Sequence, residues 1–266
     1  MSGGFPSPNA VEPPNRTAPW MGFLAALQFL TILPALVRRP FTARELGAAV
    51  GWFPFIGLLL GLALALGDAL LRQVLPLPAL SAVILVVWVL LTGALHLDGF
   101  LDACDGLFGG WTPEKRLEIL RDERVGAYAL AGGVLLLLVK FSALLSLSQH
   151  WEGLILAPVF GRWCMSLAVV AYPYARPDGL GRHMKDHAGW QQAALASIIS
   201  IGAAWMVGRL AGIAAMAFAL LAMLGVARFT MKRIPGLTGD IYGAMNEIVE
   251  AVILLVWVVI QNLGIG

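Results

Sequence analysis

Uninterrupted apolar stretches such as Val83–Leu91 and Val134–Val139 recur along this chain, and they restrict its fold more than any other feature. A helix crossing roughly 30 Å of hydrocarbon needs about 20 apolar residues. A transmembrane barrel would instead alternate apolar and polar residues with period two, and these runs do not. Of 266 residues, 59% are hydrophobic and 13% charged, and the mean hydropathy is +0.81. Soluble domains carry about 25% charged residues. The surplus apolar surface must face lipid, which excludes an ordinary soluble enzyme. The expected fold class is all-α: a polytopic integral membrane helical bundle of about 7–8 transmembrane helices. Candidate spans cover residues 21–37, 48–70, 79–97, 127–148, 154–172, 192–208, 210–228 and 247–263. The first is interrupted by Gln28, Thr31 and Pro34, so a short, tilted or re-entrant piece is the alternative there. The sixth and seventh are separated by little more than Arg209, as in a tight hairpin.

Sidedness follows from the basic residues, because cytoplasmic loops are enriched in Lys and Arg. With eight crossings, one face receives thirteen of the eighteen Lys and Arg and the other only Arg16, Arg72 and Arg209, while Lys140 and Arg162 fall inside spans. The four long polar loops are therefore expected in the cytoplasm and both termini outside. Residues 1–19, with five prolines and little apolar clustering, read as a disordered tail, and residues 20–266 as a single membrane-embedded catalytic domain. No signal peptide is expected, since the first apolar run lacks a basic leading region and a cleavage site. Cys104 and Cys164 have no metal-ligand spacing and read as small core residues. A net charge of +2 gives no reason to expect a nucleic-acid partner.

The polar chemistry gathers on one face. In LTGALHLDGFLDACDGLFGG, Asp98, Asp102 and Asp105 fall on one helical stripe, the latter two about 40° and 20° to either side of Asp98 around the axis. Like charges so close destabilise one another unless a cation or proton joins them, and no basic residue lies between Asp98 and Lys115. Mg²⁺ is the simplest resolution, since it takes one or two carboxylates plus substrate phosphates. Gly99, Gly106, Gly109 and Gly110 would let a ligand approach the backbone. His96 reads better as a core or interfacial histidine than as a ligand. Thr112-Pro113-Glu114 starts a helix expected to continue through KRLEILRDERVG, which carries Arg121 and Asp122 back towards the acidic stripe. The loop YPYARPDGLGRHMKD supplies Arg176, Arg182 and Lys185 among glycines, a composition suited to phosphate and equally to plain positive-inside topology. Asp240 and Glu247 are seven residues apart on one face of the last helix. Glu247 and Glu250 should face the bundle interior, as candidate partners for Lys140 and Arg162. Arg162 is the better placed of these two cations to lie near a substrate phosphate.

FLTILP, LTGALHLDGFLDACDG, RLEILRDERVGAY, YPYARPDGLG and GLTGDIYGAMNEIVE, in this order from about residue 22 to the C-terminus, resemble the cobalamin synthase family, the adenosylcobinamide-GDP ribazoletransferases. Ala94 and Ala129 stand where that pattern leads one to expect glycine. The resemblance implies a Mg²⁺-dependent enzyme of the bacterial cytoplasmic (inner) membrane, multi-pass, with its active site facing the cytoplasm. Adenosylcobinamide-GDP and α-ribazole (or its 5′-phosphate) would be joined with release of GMP, a late step of vitamin B12 assembly. A ribazole hydroxyl would attack the pyrophosphate. Asp98, Asp102 and Asp105 would hold Mg²⁺; Asp122 and Asp240 would complete the site or act as base; Arg121, Arg162 and Arg176, with Gly106, would bind the substrate phosphates. A homo-oligomer and the lipid bilayer are the remaining expected partners. Two other readings stay open. A CDP-alcohol-type phosphotransferase uses comparable aspartates but needs an Ala-Arg pair where this chain has Leu101-Asp102. A cation-coupled transporter would place its carboxylates near the midplane in repeated halves, whereas these lie at span ends.

Overall fold

The computed structural model describes residues 20–264, so the proline-rich stretch 1–19 lies outside the described residues. Among the described residues the chain is helical without strands; the single β-type contact is an isolated bridge between Tyr174 and Leu237. It begins with α1 (Trp20–Leu30), α2 (Ala43–Ala49) and, after one 3-10 turn, α3 (Phe53–Leu71). A sharp turn then joins α4 (Leu77–Leu91) to α5 (Leu95–Gly109). Next come α6 (Pro113–Ile119), α7 (Ala127–Ser146), α8 (Trp151–Ala171), α9 (Leu180–His187), α10 (Trp190–Met231) and α11 (Gly239–Leu263).

Five segments are long and apolar enough to cross a membrane: Ala43–Leu71, α7, α8, α10 and α11. A sixth is completed only by α4 together with α5, which are bent 89° to each other. At 42 residues α10 would be about 63 Å long if straight, twice the hydrocarbon thickness. It is not straight. Arg209, at φ 49° and ψ −132°, reverses the chain, and Gly212 then packs directly on the Ala204 carbonyl, where no Cβ would fit. The expected hairpin at Arg209 is therefore present. With its two limbs counted separately and the bent pair taken as one span, the described residues hold seven segments long and apolar enough to cross.

The first candidate span, 21–37, is corrected. Helix α1 ends at Leu30, and its 11 residues reach only about 16 Å, too short to cross. Gln28 instead binds back to the Val37 backbone through both its amide oxygen and nitrogen. Gly22 near the start of α1 packs on Ala48, and neighbouring Gly47 packs on His187 of α9. The beginning of α1 thus lies on the same face as the basic loop, and the expectation of both termini on the opposite face does not hold for this end.

Helix α8 is the post around which the bundle is built. It is buried along nearly its whole length, and α3, α10 and α11 all pack against it. Gly57 and Gly61 bring the α3 backbone onto the Pro158 and Leu154 carbonyls, and Gly161 receives Asn246 of α11. By contrast α7 and α10 leave Leu135, Leu138, Ile198, Trp205, Met206 and Leu221 at least half exposed. Apolar surface on that scale is stable only against lipid or another protein.

Four buried charges tie the interior together. Lys140 of α7 donates to Glu247 (2.5 Å) and Glu250 (2.6 Å) of α11, and Arg162 of α8 donates to the other oxygen of Glu250 (2.7 Å). Asn246 bonds the same Glu250 oxygen, and the Arg162 guanidinium lies 3.5 Å from His96 Nδ1 on α5. The expected partnership of Lys140 and Arg162 with Glu247 and Glu250 is what the structure contains.

Two measurements follow from this architecture. Lys140→Met leaves two buried carboxylates facing one cation, and should cost about 3–5 kcal/mol of stability, read as a lower Tm in detergent. Ala94, at φ 57° beside Gly93 at φ 60°, makes the turn between α4 and α5 in a conformation that disfavours any side chain. Ala94→Gly should therefore stabilise the protein by roughly 1 kcal/mol in the same assay.

Candidate active site

Helices α5 and α11 cross at glycines. A Cβ on Gly99 would meet the Asp240 backbone, and one on Gly243 would meet that of His96. Such small-residue crossings let helix backbones touch. Here the contact sets the aspartate stripe of α5 beside the first turn of α11. Asp98, Asp240 and Asp105 all act on Asp102 as like charges, and Arg176 is the nearby cation that opposes them.

Arg176 comes from the loop after α8. The bridge between Tyr174 and Leu237 holds that loop to the approach to α11: Leu237 N–H donates to Pro173 O (2.9 Å) and Ala175 N–H to Leu237 O (2.8 Å). The guanidinium then donates to Asp240 Oδ2 (2.6 Å) and to the Leu120 carbonyl at the end of α6 (3.0 Å). Thr238 Oγ1, 3.2 Å from the same Asp240 oxygen, caps α11 and completes its setting.

Two cavities meet here. The larger, about 420 Å³, runs between α1, α3, α5, α8 and α11 and is bordered by His96, Asp98, Arg121, Arg176, Asp240 and Tyr242. The smaller, about 280 Å³, is acidic: Asp98, Asp102, Asp105, Asp122 and Glu123 line it, with Arg121 at its edge. Asp98 and Arg121 belong to both walls, so a ligand bridging the cavities passes between a carboxylate and a guanidinium.

The residues singled out in the sequence divide on this geometry. Asp98, Asp102, Asp240, Arg121 and Arg176 are brought together. Asp105 reaches the acidic cavity, but both its oxygens are engaged: it accepts from Gly126 N–H (2.6 Å) and Ala129 N–H (2.9 Å), capping the start of α7. Asp122 also borders that cavity, with both oxygens taken by Arg124 (2.9 and 2.6 Å). That hydrogen-bonded pairing holds its carboxyl down at about 2. The helix expected to continue through this region stops at Ile119, because Leu120 turns inward to fill the space that Gly106 leaves open. Gly106 is thus a packing residue for α6 and not a point of ligand approach; Gly110 is likewise covered by Arg116, while Gly99 packs on the Asp240 backbone and also borders the larger cavity. Arg162 is corrected too. It is wholly buried on Glu250 and borders neither cavity. Of the basic loop only Arg176 enters the site, since Arg182 pairs with Asp186 (2.8 Å) and Lys185 binds the Val170 carbonyl.

Two residues of the larger cavity carried no signal in the sequence. Tyr242 and Tyr174 stack with ring centroids 6.2 Å apart, and the Tyr242 hydroxyl is buried without a partner. Tyr242 sits at a helix position where apolar periodicity alone reads it as core.

No group of three or more His, Cys, Asp or Glu converges as a ready-made metal site among the described residues. The donor set fits a cation completed by its substrate. Asp98 and Asp102 have no protein donor among the described residues, and a magnesium ion commonly takes one or two carboxylates with substrate phosphates.

A family model described as cobalamin-5-phosphate synthase matches residues 22–258 of this chain. A protein of Pseudomonas putida (strain W619) named adenosylcobinamide-GDP ribazoletransferase is 41% identical over 236 residues, covering 88% of this chain and 96% of its own. A protein of the same name from Geotalea daltonii is 37% identical over 243 residues, covering 90% and 97%. No solved structure matches.

The Asp122–Arg124 pair gives a pH prediction. A depressed carboxyl stays charged until the pH falls to about 2. In Arg124→Ala it should take up its proton higher, in the ordinary carboxylate range near 4, as followed by NMR titration of Asp122.

Proposed function

The chain belongs to the cobalamin-5-phosphate synthase family, and on that premise we propose that it joins adenosylcobinamide-GDP to α-ribazole or its 5′-phosphate, releasing GMP. The observation that carries this reading is the pair of cavities meeting at Asp98 and Arg121, one acidic and one bordered by Arg176. A pyrophosphate laid across that junction has guanidinium donors on one side and free carboxylates on the other. Guanidinium groups match phosphate oxygens in pairs, and fixed charges at the transferring phosphorus are the main source of catalysis in such reactions.

Asp98 and Asp102 would hold Mg²⁺ on the pyrophosphate. A bound divalent cation there would offset the negative charge that builds on the departing GMP. Arg121 and Arg176 hold the phosphoryl oxygens. The hydroxyl oxygen of the ribazole attacks the phosphorus that bears the cobinamide; a new P–O bond forms there and the P–O bond to GMP breaks. The hydroxyl proton passes to Asp240, which borders the larger cavity and is oriented by Arg176 and Thr238. Asp122, already held by Arg124, is the weaker base, because a carboxyl so depressed accepts protons poorly at neutral pH. The site opens on the face that carries the basic loops, which positive-inside topology assigns to the cytoplasm of a bacterial inner membrane.

The test is GMP release from adenosylcobinamide-GDP and α-ribazole, by the protein purified in detergent with Mg²⁺. Release that stops with EDTA is expected; none from a folded sample sinks the reading. Asp102→Asn should abolish turnover, and Asp240→Asn should lower it by about 10²–10⁴-fold. Asp122→Asn should leave most of the activity. Equal loss in all three variants would overturn these roles.

A further inference from the structure

The larger cavity contains a hydrogen-bond donor that nothing in the protein uses. His96 is 1% exposed and forms part of the cavity wall, yet its Nε2 has no partner. Its other ring nitrogen, Nδ1, lies 3.5 Å from the Arg162 guanidinium. A guanidinium has donors only, so Nδ1 is the acceptor of that pair and the ring proton resides on Nε2. Glu250 holds Arg162 at 2.7 Å, which fixes the tautomer from behind. An unmet buried donor is costly, so a bound ligand that brings an acceptor here is favoured over one that does not.

The surroundings select the kind of acceptor. Phe29, Phe53, Met165 and Val169 give this part of the cavity apolar walls, and among the described residues the other unpartnered buried polar atoms of its lining are the Tyr242 hydroxyl and Arg176 Nε. A purine such as guanine would bury several N–H donors here; of the carboxylates bordering the cavity, Asp98 and Asp240 are those the proposed reaction already uses and Asp178 pairs with Arg121 (3.7 Å). An apolar bicyclic base with one free ring nitrogen needs a single donor. About 420 Å³ holds one small riboside and not a corrin macrocycle.

We infer that the larger cavity is the riboside site, and that His96 Nε2–H donates to the free ring nitrogen of a benzimidazole-type base. The inference rests on the transferase reading for its ligand class, α-ribazole, and deepens that reading by assigning each substrate a side of the Asp98–Arg121 junction. His96 is a specificity-determining residue, and Arg162, acting through it, is a positioning residue.

The experiment is calorimetric binding to the full chain in detergent without corrinoid. It compares α-ribazole with its indole isostere, which carries C–H in place of the free nitrogen. One neutral hydrogen bond predicts that the wild type binds α-ribazole about tenfold more tightly than the isostere. His96→Leu should bind the two equally, and His96→Gln, whose amide N–H reaches a similar position, should restore part of the difference. The KM for adenosylcobinamide-GDP should stay unchanged in both variants. Equal binding of the two ribosides by the wild type overturns the inference, even if His96→Leu fails to fold. So does full discrimination in His96→Leu, or a loss confined to the corrinoid substrate. GMP release by the same wild-type sample separates the two readings. Riboside selectivity without GMP release sinks the reaction and keeps the contact; release without selectivity does the reverse.

Discussion

Two carboxylates and two cations meeting inside the bundle are the constraint on which the rest of the structure depends. Lys140, Glu247, Glu250 and Arg162 come from three helices, and each alone would be expensive in a membrane interior. Together they are neutral, hydrogen-bonded and closed to solvent. Their value is positional: α7, α8 and α11 can hold this set only in one relative rotation and one depth. Arg162 extends the same order to α5 through His96, so the geometry of the aspartate stripe is tied to a polar cluster that never touches the cavity surface. Buried ion networks are weak evidence for added stability, since well-packed apolar residues can do as well. As a device for fixing register between helices they are better suited, and register is what a site assembled from five helices requires.

Above that cluster the site is organised by backbone contact. Gly99 and Gly243 place α5 and α11 as close as two helices can come, and the bridge between Tyr174 and Leu237 adds the arginine loop to the same corner. Carboxylates and guanidinium groups thereby share one junction without neutralising each other fully. Asp240 is paired with Arg176 and Asp105 with the α7 backbone, while Asp98 and Asp102 keep their lone pairs free. This division of labour among four aspartates makes an acidic stripe useful for chemistry and keeps it from being merely repulsive.

Much of this was legible in the sequence, and the limits have physical causes. Continuous apolar runs announce spans because lipid imposes them residue by residue, and the Lys and Arg tally detects the polar face. The hairpin at Arg209 was readable because two apolar runs, 192–208 and 210–228, are each long enough to span and are separated by little more than that arginine. The shortness of α1 was readable only as an alternative, from the interruptions at Gln28, Thr31 and Pro34; that Gln28 closes the chain back on Val37 appears only in the folded chain. At the site, residue type identified the carboxylates and Arg176. What each does depends on its partners: Asp105 caps a helix, Asp122 is held by Arg124, Arg162 serves the interior, and Gly106 makes room for Leu120. No spacing rule distinguishes a glycine facing a ligand from one facing a leucine. Tyr242 was invisible, and His96 was read as a core or interfacial histidine, for the opposite reason: a buried polar atom without a partner is defined only once its surroundings exist.

The order in which the charged residues emerge from the ribosome adds a consequence of its own. Lys140 is made 107 residues before Glu247. At about 5–20 residues per second, α7 exists for roughly 5–20 s before α11 is synthesised. During that interval the lysine has neither of its two carboxylate partners, Glu247 and Glu250. Helix α7 must therefore wait at the translocation machinery or hold its ammonium near the headgroups, until the last helix supplies both counter-charges. Assembly of this enzyme is committed only at its C-terminus, so a truncated chain lacking α11 is left with an unmatched cation, a mark by which membrane quality control can tell it from the finished protein.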